Sequence, residues 1–178
     1  MCPKSKIFVL TDSSKIINIC KKYNVNFVRT KKNILTGSDR IASIKNIIKS
    51  RIYINVQGDE PIINPNDILK MINLAKKNST SVFNGYTSIT QKEARIKSLP
   101  KVIFDRQKNL IYMSRNIIPS TYSSNKNIKY FKQVCIYVYP RHILKYFNNK
   151  KTFLEKFEDI EILRLIENSV KIKMIKLS

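Results

Sequence analysis

The chain has 178 residues, 43% of them hydrophobic, and 34 lysines and arginines against 12 aspartates and glutamates give it a formal charge of +22. That length and apolar content suit one domain with its own core and exclude a disordered chain. No apolar run nears the roughly 20 residues of a membrane-spanning helix, and Met1-Cys2-Pro3-Lys4 lacks the apolar stretch of a secretion signal, so a cytoplasmic protein is expected.

In chain order, Lys6–Thr11 is a short apolar run closed by Asp12-Ser13-Ser14, which reads as a buried strand entering a helix cap. Ile16, Ile17, Ile19 and Cys20 then form a helical stripe, and Val25–Arg29 a second short strand. Asp39–Ser50 sets Ile41, Ile44, Ile47 and Ile48 three and four apart and predicts an amphipathic helix. Arg51–Val56 is a strand ending in Gln57-Gly58-Asp59-Glu60-Pro61, and Pro65-Asn66 opens a helix carrying Ile68, Leu69, Ile72 and Ala75. This alternation predicts a parallel sheet with helices on both faces. The second half differs: Lys101–Phe104 and Leu110–Met113 read as a hairpin, Phe131–Tyr139 as a strand, Thr152–Asn168 as one long acidic helix and Val170–Leu177 as a half-exposed strand.

Two segments carry candidate chemistry. Ile54–Pro61 (INVQGDEP) ends a buried strand in a turn with two carboxylates, at the strand end where open α/β sheets bind ligands; a carboxylate there can hold Mg²⁺ against a triphosphate. A solvated Asp-Glu turn accounts for the same residues. Thr36–Arg40 (TGSDR) combines Gly37, which admits close backbone approach, with Ser38 and Asp39 at a helix start and the planar donor fork of Arg40. Ser38 serving only as a helix cap is the plainer reading. The cysteines, Cys2, Cys20 and Cys135, lie far apart, and with His142 the only histidine they read as reduced thiols rather than a zinc site.

Thr11-Asp12, TGSDR, NVQGDEP and Ser114-Arg115-Asn116-Ile117-Ile118-Pro119 follow one another in an order that resembles the 3-deoxy-manno-octulosonate (Kdo) cytidylyltransferases, whose pattern runs TD, SGTDR, NVQGDEP, SRxPIP. Their late LExxExLEQLR helix has a counterpart in Leu154, Glu155, Glu158, Glu161, Leu163 and Arg164. The resemblance covers Lys6 to Leu177. It implies a Rossmann-like α/β nucleotidyltransferase fold, a mostly parallel sheet joined to a mixed sugar-binding part. It implies an enzyme in which the anomeric hydroxyl of an acidic sugar attacks the α-phosphate of CTP and pyrophosphate leaves, a reaction that feeds lipopolysaccharide synthesis. By the same resemblance Asp59 binds Mg²⁺ and, with Arg115, serves the chemistry; Gly37, Ser38 and Arg40 meet the nucleotide; and Gln57, Arg115, Gln133, Tyr137 and Glu161 meet the sugar. Read alone, Arg115 is a surface strand-end residue and Glu161 an ordinary exposed helix glutamate.

The family's first strand with its triphosphate-gripping loop, and its closing segment with a further metal-binding aspartate, have no counterpart here, so a single partial cytidylyltransferase domain over residues 1–178 is expected. A family histidine is replaced by Gln133 and a family glutamine by Ile162, both expected on the sugar side. Those changes leave another acidic sugar, an amino-Kdo or a nonulosonate, as the alternative substrate, and the absent segments leave an inactive partial product with the same fold as a further alternative. The basic charge comes as scattered pairs such as Lys21-Lys22 and Lys76-Lys77 without an aromatic stacking motif, so nucleic acid is not the expected partner. No membrane partner is expected, and a homodimer is compatible with the sequence.

Overall fold

The computed structural model describes residues 3–122 and 128–178; Cys2 lies outside them. After a 3-10 turn at Lys4–Lys6, β1 (Val9–Thr11) leads into α1 (Ser14–Lys22), whose cap Ser13 accepts from the Ile16 amide, and β2 (Phe27–Arg29) pairs parallel to β1. Next come α2 (Gly37–Ile44), β3 (Ile52–Val56), α3 (Pro65–Lys77), β4 (Val82–Ile89) and α4 (Gln91–Ala94). The second half holds β5 (Lys101–Phe104), β6 (Leu110–Ser114), β7 (Tyr130–Pro140), a 3-10 segment at Arg141–Tyr146, α5 (Phe153–Glu158), α6 (Leu163–Glu167) and β8 (Ile172–Lys176).

β1 and β2 form a ribbon of their own, and the other six strands make one mixed sheet in the order β6-β5-β7-β4-β8, with β3 also on β7. β7 runs antiparallel to β3, β4 and β5, while β4 and β8 are parallel. It follows that β3, β4, β5 and β8 share one direction. The sheet is mostly parallel in strand direction as expected, but most of its ladders are antiparallel because β7 lies between strands of the common sense.

At eleven residues β7 is long enough to hold two strands end to end on one edge. β3 pairs with Ile136–Pro140 and β5 meets it at Lys132, while β4 takes the opposite edge. Between β3 and β5 a seam of a few β7 residues remains, bridged by the Gln57 amide donating to the Cys135 carbonyl and the Gln133 amide donating to that of Pro100. β7 alternates strictly: Val134, Ile136 and Val138 pack under α3 against Met71 and Ala75, and Tyr137 and Tyr139 face the core beneath α2 and α6. Burying a side chain such as Met71, 0% exposed, contributes about 1.5–3 kcal/mol.

Two helices are shorter than their periodicity predicts. α2 stops at Ile44, since the Tyr53 hydroxyl donates to the Ile48 carbonyl and Arg141 donates to that of Lys45; Ile47 is therefore 70% exposed. The predicted 152–168 helix is two helices, broken at Asp159, whose φ of 51° lies in the left-handed region. Arg115 ends α5 by donating from Nε to the Glu158 carbonyl and from a terminal nitrogen to that of Asp159. Ile162, expected beside the sugar, is 0% exposed within the core.

Candidate active site

The TGSDR residues separate into distinct tasks. Thr36, not Ser38, caps α2, its hydroxyl oxygen accepting from the Asp39 amide. Ser38 is fully buried: its amide donates to Glu161 Oε2 (3.0 Å), its hydroxyl to Glu161 Oε1 (2.9 Å), and the Tyr139 hydroxyl lies 2.9 Å from its Oγ. The start of α2 thus already holds an anion, the carboxylate of Glu161. Gly37 and Arg40 are half-buried and line the larger groove described below, and Arg40 donates to the Thr30 hydroxyl and pairs with Asp12 at 3.7 Å, joining the Thr11-Asp12 end of β1 to α2.

Glu161 is 8% exposed, not a surface glutamate. Burial raises its pKa and the Ser38 donors lower it, leaving it above the ordinary value. Gln57 Nε2 donates to the same carboxylate at 2.6 Å. A Cβ on Gly37 would stand 2.9 Å from Gln57 Nε2, so glycine is needed there for Gln57 to reach Glu161.

The two carboxylates of the NVQGDEP turn differ. Glu60 is engaged at the seam, accepting from the Cys135 amide (3.1 Å) and from Lys132 Nζ (3.3 Å). Asp59 is exposed and has no hydrogen bond or ion pair among the described residues. Behind the site Arg164, 1% exposed, joins Asp39 (2.7 Å) on α2 to Glu155 (2.8 Å) on α5. Burial works to raise the Asp39 carboxyl, but hydrogen bonds from Arg164, Thr36 and Asn149 outweigh it and hold it below the ordinary value. The role of Asp39 was not visible in the sequence, where it stood only as a helix-start residue; the Glu155 and Arg164 matches to the family helix were its only trace.

Two grooves open on these residues. One of about 960 Å³ lies among β1, α2 and β3 and is lined by Thr11, Gly37, Arg40, Asn55, Gln57 and Asp59 among others. The second, about 500 Å³, is walled by Gln57, Asp59, Arg115, Gln133, Tyr137 and Glu161, with Ser98-Leu99-Pro100 closing one side. All five residues expected to meet a sugar thus share the second groove. Those expected at the nucleotide line the first, except Ser38, whose side chain is turned to Glu161. Gln57 and Asp59 border both. Arg115 uses three of its N–H groups on the carbonyls of Lys97, Glu158 and Asp159, leaving one on each terminal nitrogen without a hydrogen-bond acceptor. Gln133 lies 4% exposed and donates to Asn84 Oδ1. Burial, with Glu60 and Asp59 nearby, pushes the Cys135 thiol to about 12, so it remains protonated.

Residues 1–172 match the family model described as cytidylyltransferase. The chain belongs to the cytidylyltransferase family. Among curated cytidylyltransferases it is 32% identical over 183 residues to the 3-deoxy-manno-octulosonate cytidylyltransferase of Protochlamydia amoebophila, covering 96% of this chain and 69% of that one. To the enzymes of that name from Fusobacterium nucleatum and Koribacter versatilis it is 33% and 29% identical, covering 96% and 93% of this chain and 71% and 64% of theirs. The chain therefore spans about two thirds of the length of these curated relatives, 64–71%. A solved CMP:2-keto-3-deoxy-manno-octonic acid synthetase complexed with CTP superposes with a TM-score of 0.86 at 27% identity, over 96% of this chain and 71% of that one. HddC from Yersinia pseudotuberculosis, at 14% identity and a TM-score of 0.64 over 96% of this chain and 68% of its own, shares the fold. A Rossmann-like nucleotidyltransferase fold is thereby established for this cytidylyltransferase.

Proposed function

We propose that this cytidylyltransferase transfers CMP from CTP to the anomeric hydroxyl of an acidic sugar, Kdo, and releases pyrophosphate, supplying an activated sugar for lipopolysaccharide. The observation that carries the reading is that Gln57 and Asp59 border both grooves. Two substrates lying in those grooves meet at that pair. The relatives' names and the CTP complex of the structural neighbour support the choice of substrates.

On this reading CTP lies in the groove of β1, α2 and β3, with Gly37 admitting close approach, Arg40 offering a donor fork and Ser38 holding the α2 start in place through Glu161. Arg115 presents its two remaining N–H groups to the sugar carboxylate. Gln57, Gln133, Tyr137 and Glu161 supply neutral and charged partners for its hydroxyls. The anomeric oxygen forms a bond to the α-phosphorus, the bond from that phosphorus to the β-phosphate bridging oxygen breaks, and the hydroxyl proton is lost as pyrophosphate departs. Asp59, the unpaired carboxylate of the NVQGDEP turn, suits a Mg²⁺ that takes few protein ligands and completes its shell from water and phosphate. Such an ion supplies charge neutralisation on the phosphates. CTP is a cytoplasmic metabolite, so a cytoplasmic enzyme goes with this reading; homodimer formation is checked by sedimentation.

Gln133, where the resembled family has histidine, favours a second reading with a different acid, an amino-Kdo or a nonulosonate. One assay separates them: pyrophosphate release from CTP and Mg²⁺ with Kdo, amino-Kdo and sialic acid in parallel. Kdo-dependent release with CMP-Kdo as product is expected, release with another acid alone selects the second reading, and no release with any acid refutes both.

A further inference from the structure

We infer that Lys101 is a positioning residue for the acidic acceptor: its buried ammonium fixes Arg115 and adds the positive charge that lets the second groove hold an anion. The inference rests on the reading in which Arg115 meets the sugar carboxylate. Lys101 opens β5 and is 0% exposed. Its Nζ donates to the Ile96 carbonyl (2.9 Å) and the Arg115 carbonyl (2.5 Å). Ile96 begins the segment that leads through Ser98-Leu99-Pro100 along one wall of the groove, and Arg115 stands at another, donating back to the Lys97 carbonyl. One ammonium thus ties the two walls together.

No ion pair joins Lys101 to a carboxylate among the described residues. A buried ammonium without a direct ion-pair partner is destabilising, and an apolar chain of equal length would fill the space at less cost. Its surroundings give the charge a use. Among the described residues Arg115 is the only cation lining the groove; of its carboxylates Glu60, Glu155 and Asp159 pair with Lys132, Arg164 and Lys151, while Asp59 and Glu161 have no ion-pair partner. An anionic ligand there needs more positive potential than one guanidinium provides, and in a poorly solvated wall a nearby charge acts strongly. Burial and then the like charge of Arg115 push the ammonium pKa down, opposed by Glu158. The charged groups facing it are Arg115 just after β6, Glu158 on α5 and Lys132 on β7.

The test measures KM for Kdo, KM for CTP and kcat in the full chain and in Lys101→Met and Lys101→Arg, together with Tm. In Lys101→Met the Kdo KM should rise about tenfold or more while the CTP KM stays within about twofold, with Tm unchanged or higher; Lys101→Arg should recover part of the loss. With Kdo carboxamide, which lacks the negative charge, the penalty should disappear. An unchanged Kdo KM, or Kdo and CTP values rising together, overturns the inference. Should Lys101→Met fail to fold, the unmodified protein decides. Its Kdo KM should rise with pH below the ordinary lysine range as the ammonium deprotonates, with CTP KM flat, because the Cys135 thiol and the Tyr137 phenol are pushed up instead. A Kdo KM flat to about pH 10 refutes it. Absence of transfer by the unmodified protein to any sugar acid removes the functional reading and this inference together, whereas transfer with unaltered kinetics in Lys101→Met removes the inference alone.

Discussion

Asp59 and Glu60 are adjacent carboxylates with opposite fates, and the backbone decides which is free. Glu60 accepts the Cys135 amide, a donor left over where neither β3 nor β5 covers β7, so its role is structural. Asp59 projects beyond it with no hydrogen bond or ion pair among the described residues. Asp59→Asn should lower turnover about 10²–10³-fold while changing CTP affinity less, as for loss of one electrostatic stabiliser; steady-state kinetics showing near-normal kcat would reduce Asp59 to a turn residue. Glu60→Gln, in contrast, should lower stability first. Gln133 and Ile162 looked equivalent in the sequence, since both depart from the resembled family, yet only Gln133 lines a groove. Gln133→His alone should shift the kcat/KM ratio between Kdo and other sugar acids by about tenfold or more, as expected when a pocket hydrogen bond changes. Ile162→Gln should cost about 1–3 kcal/mol in urea unfolding by burying an unpaired amide, with sugar preference unmoved.

At the level of elements, the buried Asp39–Arg164–Glu155 cluster locks α2 to α5 and α6, and with them the Ser38–Glu161 contact. Arg164→Leu strands two buried carboxylates and should cost about 3–5 kcal/mol near neutral pH. The sign of the pH effect follows from Asp39. Its folded pKa is depressed, so its contribution is present above the ordinary value of 3.8 and lost as pH falls through the folded value below it. Arg164→Leu removes the largest contact that lowers the Asp39 pKa and leaves only Thr36 and Asn149 to oppose burial, so that pKa rises and the stability deficit should shrink as the pH is lowered toward 4; a deficit constant between pH 7 and about 4 would show that Asp39 is not the partner that matters. The ribbon of β1 and β2 is the weak element. β1 pairs only with β2, and β3 only with β7, among the described residues, so both strands border the larger groove with one edge lacking ladder partners. A two-stranded pair is marginal by itself, so β1 and β2 amides should exchange faster than those of β4 and β7. CTP with Mg²⁺ should slow exchange in β1 and α2 far more than in β8, and uniform protection would place the nucleotide elsewhere.

Considered as a whole molecule, much of the fold was legible. Short apolar runs punctuated by Asp-Ser-Ser, Gly-Asp-Glu-Pro and Asn-Pro mark strand ends and helix starts, since caps and turns act locally. Tertiary demands were not legible. The periodic stripe through Ile47 continues past the point where Tyr53 and Arg141 take the carbonyls that a longer α2 needs, and the stripe through 152–168 hides the break that Arg115 imposes from a distant strand. The Asp39–Arg164 contact joins residues 125 apart and leaves no local pattern. Net charge belongs to this scale also. The excess of 34 basic over 12 acidic residues should produce gel shifts with any duplex at low salt that vanish by roughly 0.2 M salt without sequence preference; retention at that salt would point to a true nucleic-acid site.

The seam on β7 makes strand length a ruler for catalysis. β3 stops at Val56, opposite Ile136, and β5 starts at Lys101, opposite Lys132, so four steps of one strand set the interval from which Gln57 and Asp59 emerge and to which Gln133 and Cys135 contribute from within. Each step spans about 3.3 Å. Inserting two residues in β7 between these pairings keeps every side chain on its own face, yet moves the wall built on β3 away from the wall built on β5 by about 6.6 Å. The larger groove, built on β1, α2 and β3, would survive, while the second, with Gln57 and Asp59 on one side and Ser98-Leu99-Pro100 and Arg115 on the other, would be pulled open and its ligand held too far from Asp59 for the reacting atoms to bond. The interval between two ladders on one shared strand thus governs whether two binding sites amount to one enzyme.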